Sequence, residues 1–167
     1  MSSNTFFRAP SDWVRHVITT LEARLKLSIE STYQREATEP TGTVICYHIG
    51  ESEVINHTGN DGRKLHEIEL RFLVYVPLAV PDFDLEALDA STRLERELLN
   101  ELWGCGENAE ETRLVSNQPR KFNPAHGVFL RTVTMKQRIY MGPVSDDYLM
   151  LVGSNINANA IAIDPAD

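Results

Sequence analysis

The sequence predicts an α+β domain: a mixed, mainly antiparallel β-sheet made from two hairpins and flanked by two main α-helices. Three observations lead there. Apolar residues recur at every second position in Ile68, Leu70, Phe72, Val74 and Val76, the period of a strand. Two other stretches carry apolar residues at helical spacing: Trp13, Val14, Val17, Ile18, Leu21 and Leu25 in the first, and Leu85, Leu88, Leu94, Leu98, Leu99, Leu102 and Trp103 in the second. Turn-forming residues crowd into 56–62 and 123–127, each between two strand-like runs.

In chain order, residues 1–9 read as an N-terminal arm, with Phe6 and Phe7 able to anchor it to its own domain or to a neighbour. Ser11, after Pro10, is the expected N-cap of a helix reaching about Leu27, with Arg15, Glu22, Arg24 and Lys26 turned outward. Residues 28–42 are polar and read as an exposed connection with room for some local structure. Residues 43–49 form a strand that 51–55 continue, and 64–76 form its long partner across a polar tip. The second face of that long strand opens with Glu67, Glu69 and Arg71 and closes with Leu73 and Tyr75, so it is expected to be wet at its start and covered at its end.

Pro77 closes the strand and Pro81 marks a corner. Asp82 or Asp84 caps the second helix, which Gly104 and Gly106 are expected to stop. Residues 112–122 carry Pro119, which suits an edge strand or a bulge. Residues 128–141 form the last strand. Phe129, Val133, Met135, Ile139 and Met141 share one face, which Arg131 and Gln137 interrupt, and Thr132, Thr134, Lys136 and Arg138 share the other. The domain thus spans 10–142, followed by a C-terminal extension, 143–167, whose alternation at Ile161 and Ile163 leaves room for one more strand.

Composition is that of an ordinary soluble domain: 167 residues, 42% hydrophobic and 24% charged. No apolar run approaches the ~18 residues of a membrane span. Residues 1–8 lack the pattern of a secretory signal, so folding in a cytoplasm is expected. Reactive signatures are missing: there is no Gly-x-Ser-x-Gly and no Walker-type loop, and the glycines of 59–62 join two strands rather than opening a helix. Cys46 and His48 share a strand face, and His66 or Cys105 would have to complete any metal set, without the paired spacing that zinc sites show. His48 and His66 fall on strands expected to pair. No catalytic residue, cofactor or metal ligand is assigned.

Charge is unevenly placed. The net charge is −8, which argues against a nucleic-acid binder acting through its overall field. Residues 82–111 hold ten acids against two bases, and residues 112–145 hold six bases and no acid. Glu95, Glu97 and Glu101 on the second helix, and Arg131, Lys136 and Arg138 on the last strand, are therefore candidate interface residues, as are His57, Asn60 and Asp61 at the hairpin tip. Two readings stand: these charges pair within one subunit, or the acidic helix of one subunit faces the basic strands of the next. On the second, changing Arg131, Lys136 and Arg138 to Glu would weaken assembly and leave the monomer folded.

The strand His66-Glu67-Ile68-Glu69-Leu70-Arg71-Phe72-Leu73-Val74-Tyr75-Val76-Pro77, the corner Ala79-Val80-Pro81-Asp82 and the helix start Leu85-Glu86-Ala87-Leu88-Asp89 resemble the tail terminator proteins of tailed bacteriophages, the lambda-type minor tail protein U family. The opening helix and the late strand fit the same plan, over about residues 10–142. The resemblance implies a virion structural protein with no enzymatic activity. It would form a homohexameric ring that caps the tail tube, stops its polymerisation and offers a surface to the head-tail connector or neck protein. It further implies assembly in the host cytoplasm, a final place at the head-proximal end of the tail, no membrane partner, and no specific nucleic-acid binding although DNA would pass through the lumen. Residues 28–42 and 143–167 exceed the family's core and inherit nothing from it. The alternatives are another neck or tail-completion component of a phage or contractile injection particle, and a small α+β enzyme or ligand-binding protein with its site around Cys46, His48 and His66.

Overall fold

The computed structural model describes residues 5–36, 39–58 and 63–142. The element order is α1 (Pro10–Leu25), β1 (Ile29–Ser31), β2 (Val44–Thr58), β3 (Lys64–Pro77), α2 (Phe83–Leu98), β4 (Arg113–Pro119) and β5 (Val128–Met141), with short 3-10 turns at Gly106–Asn108 and Pro124–His126. The strands form one sheet in the order β1-β2-β3-β5-β4. Every pairing is antiparallel except that of β1, whose three residues run parallel to Ile45, Cys46 and Tyr47. The protein is α+β with a mixed, mainly antiparallel sheet, as the sequence predicts.

α1 starts one residue before the expected cap. Pro10 occupies the first turn, where its missing N–H is no loss, and Ala9 takes the extended cap position. Its buried residues are the six of the predicted stripe, Trp13, Val14, Val17, Ile18, Leu21 and Leu25. Lys26, in the left-handed region at φ 56°, ends the helix, and the Glu22 carboxylate accepts the Ile29 N–H at 3.0 Å, turning the chain into β1. The connection 28–42 thus contains an edge strand too short to leave a pattern in the sequence.

β3 is paired on both sides for nearly its whole length, so it is the centre of the sheet. Ile68, Leu70, Phe72, Val74 and Val76 are fully buried on the face that carries both helices. On the same face β5 contributes Val133, Met135, Ile139 and Met141. Gln137 interrupts that apolar row, and its amide is fully used. Its oxygen accepts the Trp13 indole N–H at 2.9 Å, and its nitrogen donates to the Glu101 carbonyl at 3.1 Å and the Glu110 carbonyl at 2.9 Å. One buried side chain therefore ties α1, the segment after α2 and the approach to β4 onto β5.

α2 is shorter than its apolar spacing predicts. It ends at Leu98 rather than at the glycines, because Asn100 turns into the left-handed region at φ 59° and donates its N–H to the Thr112 carbonyl at 3.2 Å. Asn tolerates that conformation better than most residues. Thr112 returns its N–H to the Glu101 carbonyl at 3.1 Å and its hydroxyl accepts the Trp103 indole at 3.3 Å, so 99–103 pack as a turn. At the other end Asp82 is the cap residue, but through its carbonyl, which accepts from Leu85 and Glu86 at 3.0 Å; its side chain makes no cap bond.

Phe7 joins the core and Thr5 bonds the Gly104 carbonyl at 2.9 Å, so the described part of the N-terminal arm lies on its own domain. The suggested strand at Ile161 and Ile163 lies outside the described residues. Replacing Gln137 with Leu keeps the volume but orphans the buried Trp13 indole N–H, takes the side-chain donor from the Glu110 carbonyl, and leaves the Glu101 carbonyl to Thr112 alone. It is expected to lower stability by about 3 kcal/mol, read from the urea midpoint.

Candidate assembly surfaces

Both helices lie on one face of the sheet, and among the described residues no helix covers the other. That open face carries Leu65, Glu67, Glu69, Arg71, Leu73 and Tyr75 on β3, flanked by Val44, Cys46, His48 and Glu53 on β2 and by Thr132, Thr134, Lys136 and Arg138 on β5. Its expected wet start is in fact buried: Glu67 and Glu69 are 7% and 5% exposed. Basic side chains from three strands close over them. Glu67 Oε2 accepts from Arg113 at 2.7 Å and Arg138 at 2.9 Å. Glu69 accepts from Arg71 at 2.5 Å and lies 3.6 Å from the Lys136 ammonium. A Cβ at Gly50 would collide with the Glu69 carboxylate, so glycine at this bulge in β2 makes room for the buried acid. Burial alone would push the Glu67 carboxyl up, but the Arg138 hydrogen bond and the charges of Arg113, Arg138 and Lys136 outweigh it and hold it below the usual carboxylate range.

This cluster decides what the candidate interface charges do. Lys136 and Arg138 are engaged by Glu67 and Glu69 of their own subunit, and Arg131 by the Asn117 side chain at 3.0 Å and carbonyl at 3.3 Å. Glu95 accepts from Asn117. Glu97 and Glu101 turn to Arg24 of α1, at 3.7 Å and 2.8 Å. The Arg24 bond, opposed by burial, keeps Glu101 below the usual carboxylate range. The charges pair within one chain, and changing Arg131, Lys136 and Arg138 to Glu would unsettle the monomer itself. His57 lies in the far end of β2, and Asn60 and Asp61 lie outside the described residues.

The sheet ends in two unlike edges. β1 covers β2 only at Ile45, Cys46 and Tyr47, so among the described residues β2 has no outer partner from His48 onward. At the opposite end β4 is the outermost strand, as Pro119 suggests. Large apolar side chains come to the surface beside both edges. Ile49 and Val54 flank the β2 edge, and Leu85, Leu88, Leu99, Val115 and Phe122 gather on the β4 side; all seven are between 43% and 57% exposed. The leucines of α2 were expected in the core. The buried line of that helix is Ala87, Ser91, Leu94 and Leu98. Leu88 and Leu99 sit about a quarter-turn around from it, toward the flank where Ser91 and Glu95 meet Asn117 of β4, and Leu85 lies nearly opposite the buried line. The opposite flank packs on α1, where Arg93 donates to the Leu25 carbonyl at 3.1 Å.

The Cys46, His48 and His66 grouping does not form. His48 pairs with Arg71 and His66 with Val54, which puts the two imidazoles on opposite faces of the sheet. Burial, then the charges of Arg71 and Arg120, lower the His48 pKa; burial, then Lys64, lower that of His66. Cys46 and Cys105 are buried, unbridged thiols, and burial, with the Glu101 charge, pushes Cys105 up to about 11. A groove of about 710 Å³ beside β1 is lined by Glu30, Gln34, Arg35, Glu36 and Glu39 among others, with no histidine or cysteine among the described residues that line it. Among the described residues no three His, Cys, Asp or Glu side chains converge as metal ligands, and no helix is long and apolar enough to cross a membrane. Comparison with protein-family models and with curated protein sequences finds no match.

Because the folded pKa of Glu67 lies below its unfolded value, its contribution to stability is complete above the ordinary carboxylate pKa and disappears as pH falls through the depressed one. Glu67→Gln is expected to be less stable than the wild type at neutral pH. The gap should shrink steadily below about pH 4 in denaturation curves; a gap independent of pH would show that the carboxylate charge plays no part.

Proposed function

We propose that this protein is a virion assembly component of the tail-terminator type. It closes into a hexameric ring on the finished end of a phage tail tube, stops further tube growth and presents a joining surface to the neck or head-tail connector. The observation that carries this reading is the pair of unlike apolar flanks at opposite ends of one sheet. A two-fold dimer uses the same patch twice, whereas two different patches on opposite sides suit head-to-tail contacts, which close into a ring when the rotation per subunit divides a full turn. Exposed apolar groups of this size, grouped beside two open strand edges, are what a subunit holds ready for burial against its neighbours. The resemblance of the strand, corner and helix start to tail terminators supplies the particular place in the virion.

In this reading the protein acts by shape. Specificity comes from which surface of the ring matches the tube end and which matches the connector, and no bond is made or broken. The native particle is expected to have the mass of six chains and to appear as a closed ring with a lumen in negative-stain images. Particles assembled without the protein are expected to show overlong tails, or tails without heads. A chain that stays monomeric at high concentration, together with normal tails in its absence, would overturn the reading.

A further inference from the structure

We infer that the unpaired edge of β2 in one copy joins antiparallel to the outer edge of β4 in the next copy, making one sheet continuous from subunit to subunit. This rests on the ring reading and names the surfaces that would build it.

The two edges fit in length and direction. Among the described residues the outer edge of β2 has no partner over 48–55, and β4 offers Arg113–Pro119. Within a subunit β2, β3, β5 and β4 alternate in direction, so β4 runs opposite to β2. Rotation about an axis lying roughly along the strands preserves direction, and it brings the β4 of one copy against the β2 of the next in the antiparallel sense. Pro119, which has no N–H to give, is the last residue of β4 and leaves the donors before it available.

The two faces fit in chemistry as well. On β2, Ile49 and Val54 pair with Leu70 and His66, which places them on the helix side of the sheet. On the β4 end, Leu88 and Leu99 also lie on the helix side, turned to the flank of α2 where Ser91 and Glu95 meet Asn117 of β4. Joining the edges lays one apolar set over the other. On the open face the same joining brings acids to bases. Glu53 is paired with Glu67, and Glu51 lies 3.9 Å from Lys136, so both acids of the β2 edge belong to that face. Arg113 and Arg120 stand on that face at the two ends of β4, where in the single chain Arg113 leans inward onto Glu67 and Arg120 toward Tyr75 and His48. Apolar therefore meets apolar on one side and acid meets base on the other, in a single docking. A bulge in each edge strand, at Ile49/Ser52 and at Leu114/Ser116, restricts pairing to a partner of matching shape and works against indiscriminate stacking.

The test uses native mass and amide hydrogen exchange on the full chain. One variant reverses the β2 edge (Glu51→Lys with Glu53→Lys) and another reverses the β4 side (Arg120→Glu with Lys121→Glu). All four are surface changes, and circular dichroism checks that each monomer is folded. Each variant alone is expected to need at least about tenfold more protein to form the ring, because like charges now face each other. Mixing the two in equal amounts is expected to restore ring formation, since an alternating ring again sets acid against base at every contact. Leu88→Asp, which touches no ion pair, is expected to weaken the ring in the same way. In the wild type, amides of 48–55 and 113–119 are expected to exchange more slowly in the ring than in the dissociated chain. If the wild type forms the ring but these variants do not change it and those amides stay fast, the edge-to-edge contact is wrong and the ring reading stands. A wild type that never assembles overturns both.

Discussion

Among the described residues helices cover only one face of this sheet, and the other face is finished without them. The chain does so with charge. Glu67 and Glu69 sit in the middle of the open face, nearly out of water, each held by basic side chains from neighbouring strands. A buried carboxylate without a partner is strongly unfavourable, and the partners here come from β3, β4 and β5. Register is thereby fixed on the open face as firmly as packing fixes it on the helix face. A one-residue slip of β5 against β3 would move Arg138 away from Glu67 and bring Gln137 out of the core together.

One-sided cover also shapes the perimeter. With both helices drawn over β3 and β5 and joined by Arg24 and Arg93, the flank of α2 beside β4 carries no further cover among the described residues. At the far end β1 is too short to seal β2. The result is a subunit with two open edges that differ in charge and in apolar content. Surface ion pairs are each worth little, so in the proposed ring the apolar flanks carry more of the contact energy than charge does. Seven half-exposed large side chains are a sizeable apolar area at roughly 25 cal/mol per Å². In that proposed contact, charges on the open face contribute register and direction rather than strength.

Much of this architecture is legible in the residues themselves. The alternation in β3 and the stripe in α1 name buried residues one by one, because a strand and a helix each impose a fixed period on whatever faces the core. Pro119 marks an edge because it lacks a donor. The misreadings have physical causes. Leu85, Leu88 and Leu99 fit the helical period, but periodicity describes which way a residue points and not whether anything lies there. Glu67 and Glu69 look like solvent-facing residues because the arginines that cover them arrive from much later in the chain. His48 and His66 sit on paired strands, yet His48 faces Arg71, an odd number of residues along β3 from His66, so the two lie on opposite faces.

The sequence by itself determined the class of fold, the two helices, the central strand and the hairpins, since these follow from local period and turn chemistry. Its uneven charge also marked an acidic segment and a basic one that need partners. Only the tertiary structure decided which charges satisfy each other, which leucines stay outside and which edges remain open. Those properties depend on residues tens of positions apart meeting across strands, and no local pattern encodes the meeting.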